Sequence, residues 1–196
     1  HVVDPQPGEL VLDVCSAPGG KTTHMAALME NRGRIVACDI YDHKLQRVME
    51  NAARLGINII DPMLKDAREI QQDFPQQADR VLVDAPCSGL GVLRRKPDSR
   101  WRKTQQLLKE LPELQLEILK SGAVCVKPGG ILVYSTCTIA REENQAVVEK
   151  FLKDNAEFQL EHTGSRLPVP REDAMVQLYP QRDGTDGFFI ACMRRK

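Results

Sequence analysis

Short apolar strands alternating with amphipathic helices predict an α/β fold: a doubly wound, mostly parallel sheet with helices on both faces. Three observations carry that expectation. Apolar runs at 9–14, 34–40, 80–85 and 131–136 are each bounded by a turn or an acidic residue. Helical periodicity fills the stretches between them. No internal repeat, low-complexity tract or linker breaks the alternation, so 1–196 reads as a single domain, large enough to bury a substantial core.

The first run, ELVLDV (9–14), ends in an acid and meets Ser-Ala-Pro-Gly-Gly, a strand followed by a turn. From Lys21 the spacing of Met25, Leu28 and Met29 marks a helix, with Gly33 as its stop. RIVACDI (34–40) is the second strand. Asp42 then caps a helix whose Leu45, Val48, Met49, Ala52 and Leu55 form one stripe ending at Gly56. A weaker strand over about 58–64 and a short linking helix lead to RVLVDA (80–85). Residues 86–101 read as loop. Leu107, Leu111, Leu114 and Ile118 mark the next helix, broken near Pro112. Pro128-Gly129-Gly130 turns into the strand ILVYST (131–136). A helix with Val147, Val148, Phe151 and Leu152 follows, and GFFIACM (187–193) is the last strand.

Composition removes several classes of function. Lys+Arg and Asp+Glu balance at 27 each, which excludes a uniformly basic coat but not a local patch. No apolar run approaches the roughly 20 residues that cross a bilayer, which points away from a membrane partner. The six cysteines show no pair spaced by two residues and the four His are scattered, so no metal site is expected. Cys38, Cys125 and Cys192 lie in apolar contexts as core fillers, and the pattern suits a reducing, cytoplasmic setting. A monomer is expected.

In a doubly wound sheet, ligands bind beyond the carboxyl ends of the strands. Four strand ends here carry polar chemistry: Asp13 to Ser16, Asp39, Asp84 to Cys87, and Ser135 to Cys137. Their convergence on one cleft predicts an enzyme. In DVCSAPGGKT (13–22), Gly19 and Gly20 permit a tight turn and close approach of a ligand, and the helix start supplies free amides. A phosphate-binding P-loop needs Gly where Cys15 stands, and Pro18 removes an amide. A Gly-x-Gly-x-x-Gly dinucleotide fingerprint is missing. S-adenosylmethionine, which has no phosphates, suits the segment better. Asp39 lies where an acid takes both ribose hydroxyls. Asp66 lies where a carboxylate accepts an adenine amino group, or where it simply caps a helix.

Cys87 in DAPCSG and Cys137 in YSTCT lie in loops just after strands, which favours reactive roles for both thiols. The run RRKPDSRWRK (94–103) holds six positive side chains and the only Trp. Arg94, Arg95, Lys96 and Arg100 are candidate contacts to nucleic-acid phosphates, with solvated surface charge an equal alternative.

In order, DVCSAPGGKT, Asp39, DAPCSG, YSTCT and the terminal DGFFIA resemble the Sun-type RNA cytosine-5 methyltransferases, from about residue 7 to the end. The resemblance implies a Rossmann-like S-adenosylmethionine-dependent fold and an RNA substrate, ribosomal RNA before transfer RNA. It implies that Cys15, Ser16, Ala17, Pro18, Gly19, Gly20 and Lys21 line the methionine end of the cofactor. Asp39 would hold the ribose, Asp66 the adenine, and Asp84 would lie between methyl donor and base. Cys137 would be the nucleophile and Cys87 would assist product release; which cysteine attacks rests on the resemblance and not on spacing. Members of that family carry further sequence before the first strand, often an RNA-binding domain. This chain, opening at His1 without an initiator Met, reads as the catalytic part, expected to methylate RNA poorly alone. A non-catalytic RNA-binding module is the contrasting reading, disfavoured by intact Cys137, Cys87 and Asp84.

Overall fold

The computed structural model describes residues 1–102 and 105–196, leaving aside the side chains at 99, 100, 102, 105, 107 and 108. The Arg100 and Leu107 side chains named above thus lie outside the described residues. Strands β1 (Leu10–Asp13), β2 (Arg34–Asp39), β3 (Ile60–Leu64), β4 (Ala78–Asp84) and β5 (Val126–Thr136) pair in parallel. Strands β6 (Phe158–Leu160), β7 (Met175–Leu178) and β8 (Phe188–Arg195) add an antiparallel flank. The sheet runs β3-β2-β1-β4-β5-β8, with β7 and β6 on successive halves of the free edge of β8. Strand order reverses between β1 and β4, and it is outside such a reversal that α/β sheets form a ligand crevice.

Period-two alternation buries both faces. Val11, Ile35, Leu82 and Val133 face helices α1 (Gly20–Leu28) and α2 (Asp42–Arg54) through Met25, Ala26, Val48 and Ala52. Their neighbours Leu12, Val36, Val81, Val83 and Leu132 face α3 (Gln105–Cys125) and α4 (Gln145–Asp154) through Leu119, Val148 and Phe151. Cys38, Cys125 and Cys192 are buried in this core, as expected of them. Among the described residues no helix is long and apolar enough to cross a membrane.

Several local expectations need correction. Asp42 is the first residue of α2 and Tyr41 its cap, without a side-chain bond; Asp42 instead accepts from Gln46, one turn on. Helix α1 ends at Leu28, well before Gly33, because Glu30 and Asn31 take the left-handed turn themselves at φ 54°. Pro112 does not break α3, which runs 21 residues through it; Leu111, Leu116 and Leu119 are buried around it, and that packing outweighs one missing hydrogen bond. The segment 86–101, read as loop, holds the 3-10 helix Leu90–Val92 and all but the last residue of a second, Pro97–Arg102. The final strand is antiparallel, and β6, β7 and the four-residue helix α5 (Pro180–Asp183) were not foreseen.

Candidate active site

The carboxyl ends of β1, β2, β4 and β5 open on one cleft of about 630 Å3, which brings Cys15, Asp39, Asp66, Asp84, Cys87 and Cys137 together. Its β1–β3 half is shaped by the turn into α1. The Ser16 amide and hydroxyl both donate to the Cys38 carbonyl, at 2.8 and 3.0 Å, which ties the turn to β2. Ser16 is therefore buried behind the cleft, while Cys15 and Ala17 face it. Pro18 is exposed and follows a cis peptide bond. Gly19, at φ 98°, caps α1, and a Cβ there would come within 3.0 Å of the Val48 backbone, so only glycine fits. Gly20 opens the helix, and Lys21 reaches 2.7 Å to the Asp84 carboxylate.

At the end of β2, Asp39 accepts from the Tyr41 amide at 3.0 Å and lies 3.9 Å from the Lys44 ammonium. Ile40 and Tyr41, half exposed, give this part of the cleft an apolar wall. Asp66 is a cap, one of the two roles expected of it. It caps the 3-10 turn Ala67–Gln72 through the Arg68 amide at 2.9 Å, and it lines the cleft. The Arg68 guanidinium holds its carboxyl below the usual range. An acid at the end of β2, an apolar wall and the exposed Gly20 at the turn, in a volume of this size, fit an adenosine bearing an amino-acid tail.

The β4–β5 half carries the thiols. Cys87 and Cys137 approach to 3.3 Å between sulfurs. Hydrogen bonding from Cys87 draws the Cys137 thiol down to about 7, assisted by the Lys21 charge and opposed by burial and Asp84. The same contact and burial push Cys87 far up. Asp84 accepts from Ser135 at 2.7 Å and from Lys21 at 2.7 Å, so both its oxygens are held. By contrast, burial raises the Cys15 thiol well above its ordinary value.

Residues 1–194 match the family described as 16S rRNA methyltransferase RsmB/F. The chain belongs to that family. It is 46% identical over its whole length to a probable ribosomal RNA small subunit methyltransferase B of Bacillus subtilis, and 41% to one of Synechocystis. It spans 45% of each of those relatives. Among solved structures, PH0851 superposes with a TM-score of 0.93 at 41% identity, over 99% of this chain and 44% of that one. NSun6 from Pyrococcus horikoshii, solved with SFG, gives 0.88 at 34% identity, over 99% and 50%. The fold is therefore the Rossmann-like fold of S-adenosylmethionine-dependent methyltransferases; the order of strands and helices implied the doubly wound sheet, and the motif resemblance the methyltransferase.

Two features of this RsmB/F domain escaped sequence reasoning. Asp13, seen only as a strand end, is fully buried; burial pushes its carboxyl up to about 7 even though Thr22 donates to it at 2.8 Å. Glu143 and Asn144 are buried under the cysteine loops, and their one signal was polar residues shortly after YSTCT. The basic run is partly neutralised: Arg94 lies 2.9 Å from Asp186, and Arg95 pairs with the same carboxylate. Among the described residues no cluster of His, Cys, Asp and Glu has the makings of a metal site.

Proposed function

We propose that this chain is the catalytic domain of an S-adenosylmethionine-dependent enzyme that methylates carbon 5 of a cytosine in RNA, through a covalent cysteine adduct. Small-subunit ribosomal RNA is the substrate class favoured by the family and by the names of its relatives. The observation that carries the reading is the thiol pair. Two cysteines 3.3 Å apart share one cleft with Asp39 and Asp84, and one of them is held near pH 7.

When bound, the cofactor supplies an electrophilic methyl group on a sulfonium sulfur. Asp39 would hold its ribose, Asp66 its adenine, and the backbone from Cys15 to Gly20 its methionine end. Carbon 5 of cytosine is a poor nucleophile until something adds at carbon 6. The Cys137 thiolate makes that bond, and the displaced ring electrons become available at carbon 5. Asp84, fixed by Ser135 and Lys21, steadies the activated base at a ring nitrogen or the amino group. After methylation, a water in the open cleft takes the carbon 5 proton; the electron pair left behind re-forms the carbon 5–carbon 6 double bond as the carbon 6–sulfur bond breaks and Cys137 leaves as thiolate. Cys87, beside the carbon–sulfur bond being broken, assists that release. A stacked base must first be unstacked to reach the cleft.

Denaturing gels test the division of labour. With cofactor and RNA, Cys87→Ala should give a slow-migrating protein–RNA adduct, and Cys137→Ala none. An adduct from Cys137→Ala would make Cys87 the nucleophile, and methylation retained by both variants without any adduct would end the covalent mechanism.

A further inference from the structure

Cys87 and Cys137 are 50 residues apart in the chain, on loops leaving two different strands, yet their sulfurs sit 3.3 Å apart. Neither loop is regular structure, so something must hold each in register with the other. The residue after each cysteine supplies the handle. Ser88 and Thr138 exchange a hydroxyl–hydroxyl bond at 2.8 Å, and both are fully buried. Behind them lies the Glu143 side chain, 1% exposed. Its Oε2 accepts from the Ser88 amide at 2.8 Å and from Gln115 Nε2 at 3.0 Å, and its Oε1 from Thr138 Oγ1 at 3.5 Å. Gln115 also donates to the Pro86 carbonyl at 2.9 Å, on the other side of Cys87. Tyr134 OH, fixing the backbone beneath, donates to the Glu143 carbonyl at 2.6 Å.

A carboxylate this deeply buried is costly unless its oxygens are well hydrogen-bonded. Glu143 takes its bonds from the two cysteine loops and from the one glutamine that also grips the Cys87 loop. A fold that needed only volume here would be served by an apolar side chain, with no burial cost. We propose that Glu143 is a positioning residue, whose carboxylate braces the Cys87 loop against the Cys137 loop and so fixes the separation of the two thiols. This rests on Cys137 being the reactive thiol, and adds to it the residue that keeps the second thiol in hydrogen-bonding reach.

The brace has a signature that mere structural support lacks. The Cys87–Cys137 contact is the largest influence drawing Cys137 down, so loosening the brace should raise the Cys137 titration midpoint. Lys21 and Asp84, the other charges acting on that thiol, remain in place. The measurement is the alkylation rate of Cys137 against pH, read by peptide mass spectrometry, in Glu143→Gln and in Thr138→Val. The second variant removes the hydroxyl link and leaves the carboxylate. In folded protein, Glu143→Gln should move the midpoint up by one unit or more and slow alkylation at pH 7 about fivefold or more. Thr138→Val should move it the same way by less, and Cys87→Ala should reproduce the larger shift. S-adenosylmethionine affinity should be unchanged in the two brace variants, Glu143→Gln and Thr138→Val. A lowered melting temperature with a wild-type midpoint in both brace variants would overturn the proposal and leave Glu143 a packing residue. No RNA is needed, so this outcome is independent of whether the adduct experiment succeeds.

Discussion

The half of the cleft proposed to hold the cofactor, the cofactor half, is made by a turn and two strand ends, with Gly19 and backbone bonds setting its shape. The thiol half is made by two loops that meet only in three dimensions, joined through buried side chains of Ser88, Gln115, Thr138 and Glu143. The first kind of site is encoded locally and written in a motif. The second depends on the fold being complete, and its supporting residues carry no motif. The two halves should therefore be separable: damage to one should leave the other's chemistry intact.

The largest expected effect is at Cys137, the proposed nucleophile. Cys137→Ala should lower methyl transfer by at least about a thousandfold, as loss of a covalent nucleophile does, with S-adenosylmethionine affinity within twofold of the parent. Isothermal titration beside a methyl-transfer assay checks both; loss of cofactor binding as well would show the halves to be one unit.

Next comes Asp13, at the root of the cofactor half. Its folded value near 7 lies above the ordinary 3.8, so the folded state binds its proton more tightly than the unfolded chain does. Its favourable contribution is therefore full below about pH 4 and is lost as pH rises towards 7, by a few kcal/mol. Asp13→Asn removes this titration. Its melting temperature should fall less between pH 5 and pH 8 than the parent's. Parallel curves for the two proteins would mean that the Asp13 carboxyl does not change protonation across that range.

Asp39 gives a smaller and more local effect. Asp39→Ala should weaken S-adenosylmethionine by the roughly 1.5–3 kcal/mol of charged hydrogen bonds, about 10- to 150-fold, while leaving the Cys137 midpoint where it was. A shifted midpoint would show that the two halves communicate.

How much could be read in the sequence follows the same division. The parallel strands and the helices around them were legible because each buries a periodic face. The glycine turn and the acid ending β2 were legible because they lie beside their strands. Strands β6 and β7 were not, since three or four residues, FQL and MVQL, are too short to show a period. Pro112 misled because local propensity gave way to packing. Cys87 and Cys137 stood out as loop cysteines, yet their contact and their opposite acidities come from a 50-residue separation closed by the fold. Glu143 read as one charge among many, because burial is set by the whole structure.

The smallest expected effect lies on the surface beside the thiol half, and it asks whether the basic run belongs to the site at all. Arg94 and Arg95 share the Asp186 carboxylate, which is 17% exposed, while their own side chains are 51% and 68% exposed. Two cations on one acid leave a net positive charge facing solvent. The Gly91 amide ties this loop to the Cys137 carbonyl at 3.0 Å, and the Gly187 amide, next to Asp186, donates to the Gly91 carbonyl at 2.9 Å. A Cβ on Gly91 would overlap the Gly187 carbonyl, so the charge is held at a fixed place beside the cysteines. RNA phosphates arriving there would compete with Asp186, and each phosphate neutralised contributes about 0.7–0.9 to the slope of log affinity against log salt. Replacing Arg94, Arg95 and Lys96 by Ala should lower that slope by about 1 to 2 rather than by the full value for three contacts, because Asp186 already offsets one charge. Asp186→Asn should raise it. RNA binding measured by fluorescence anisotropy over a potassium chloride series reads both changes, with cofactor affinity and the Cys137 midpoint unaltered in each variant. A slope unchanged in the triple variant would make the run ordinary surface charge, and the RNA path would then have to enter the cleft from another side.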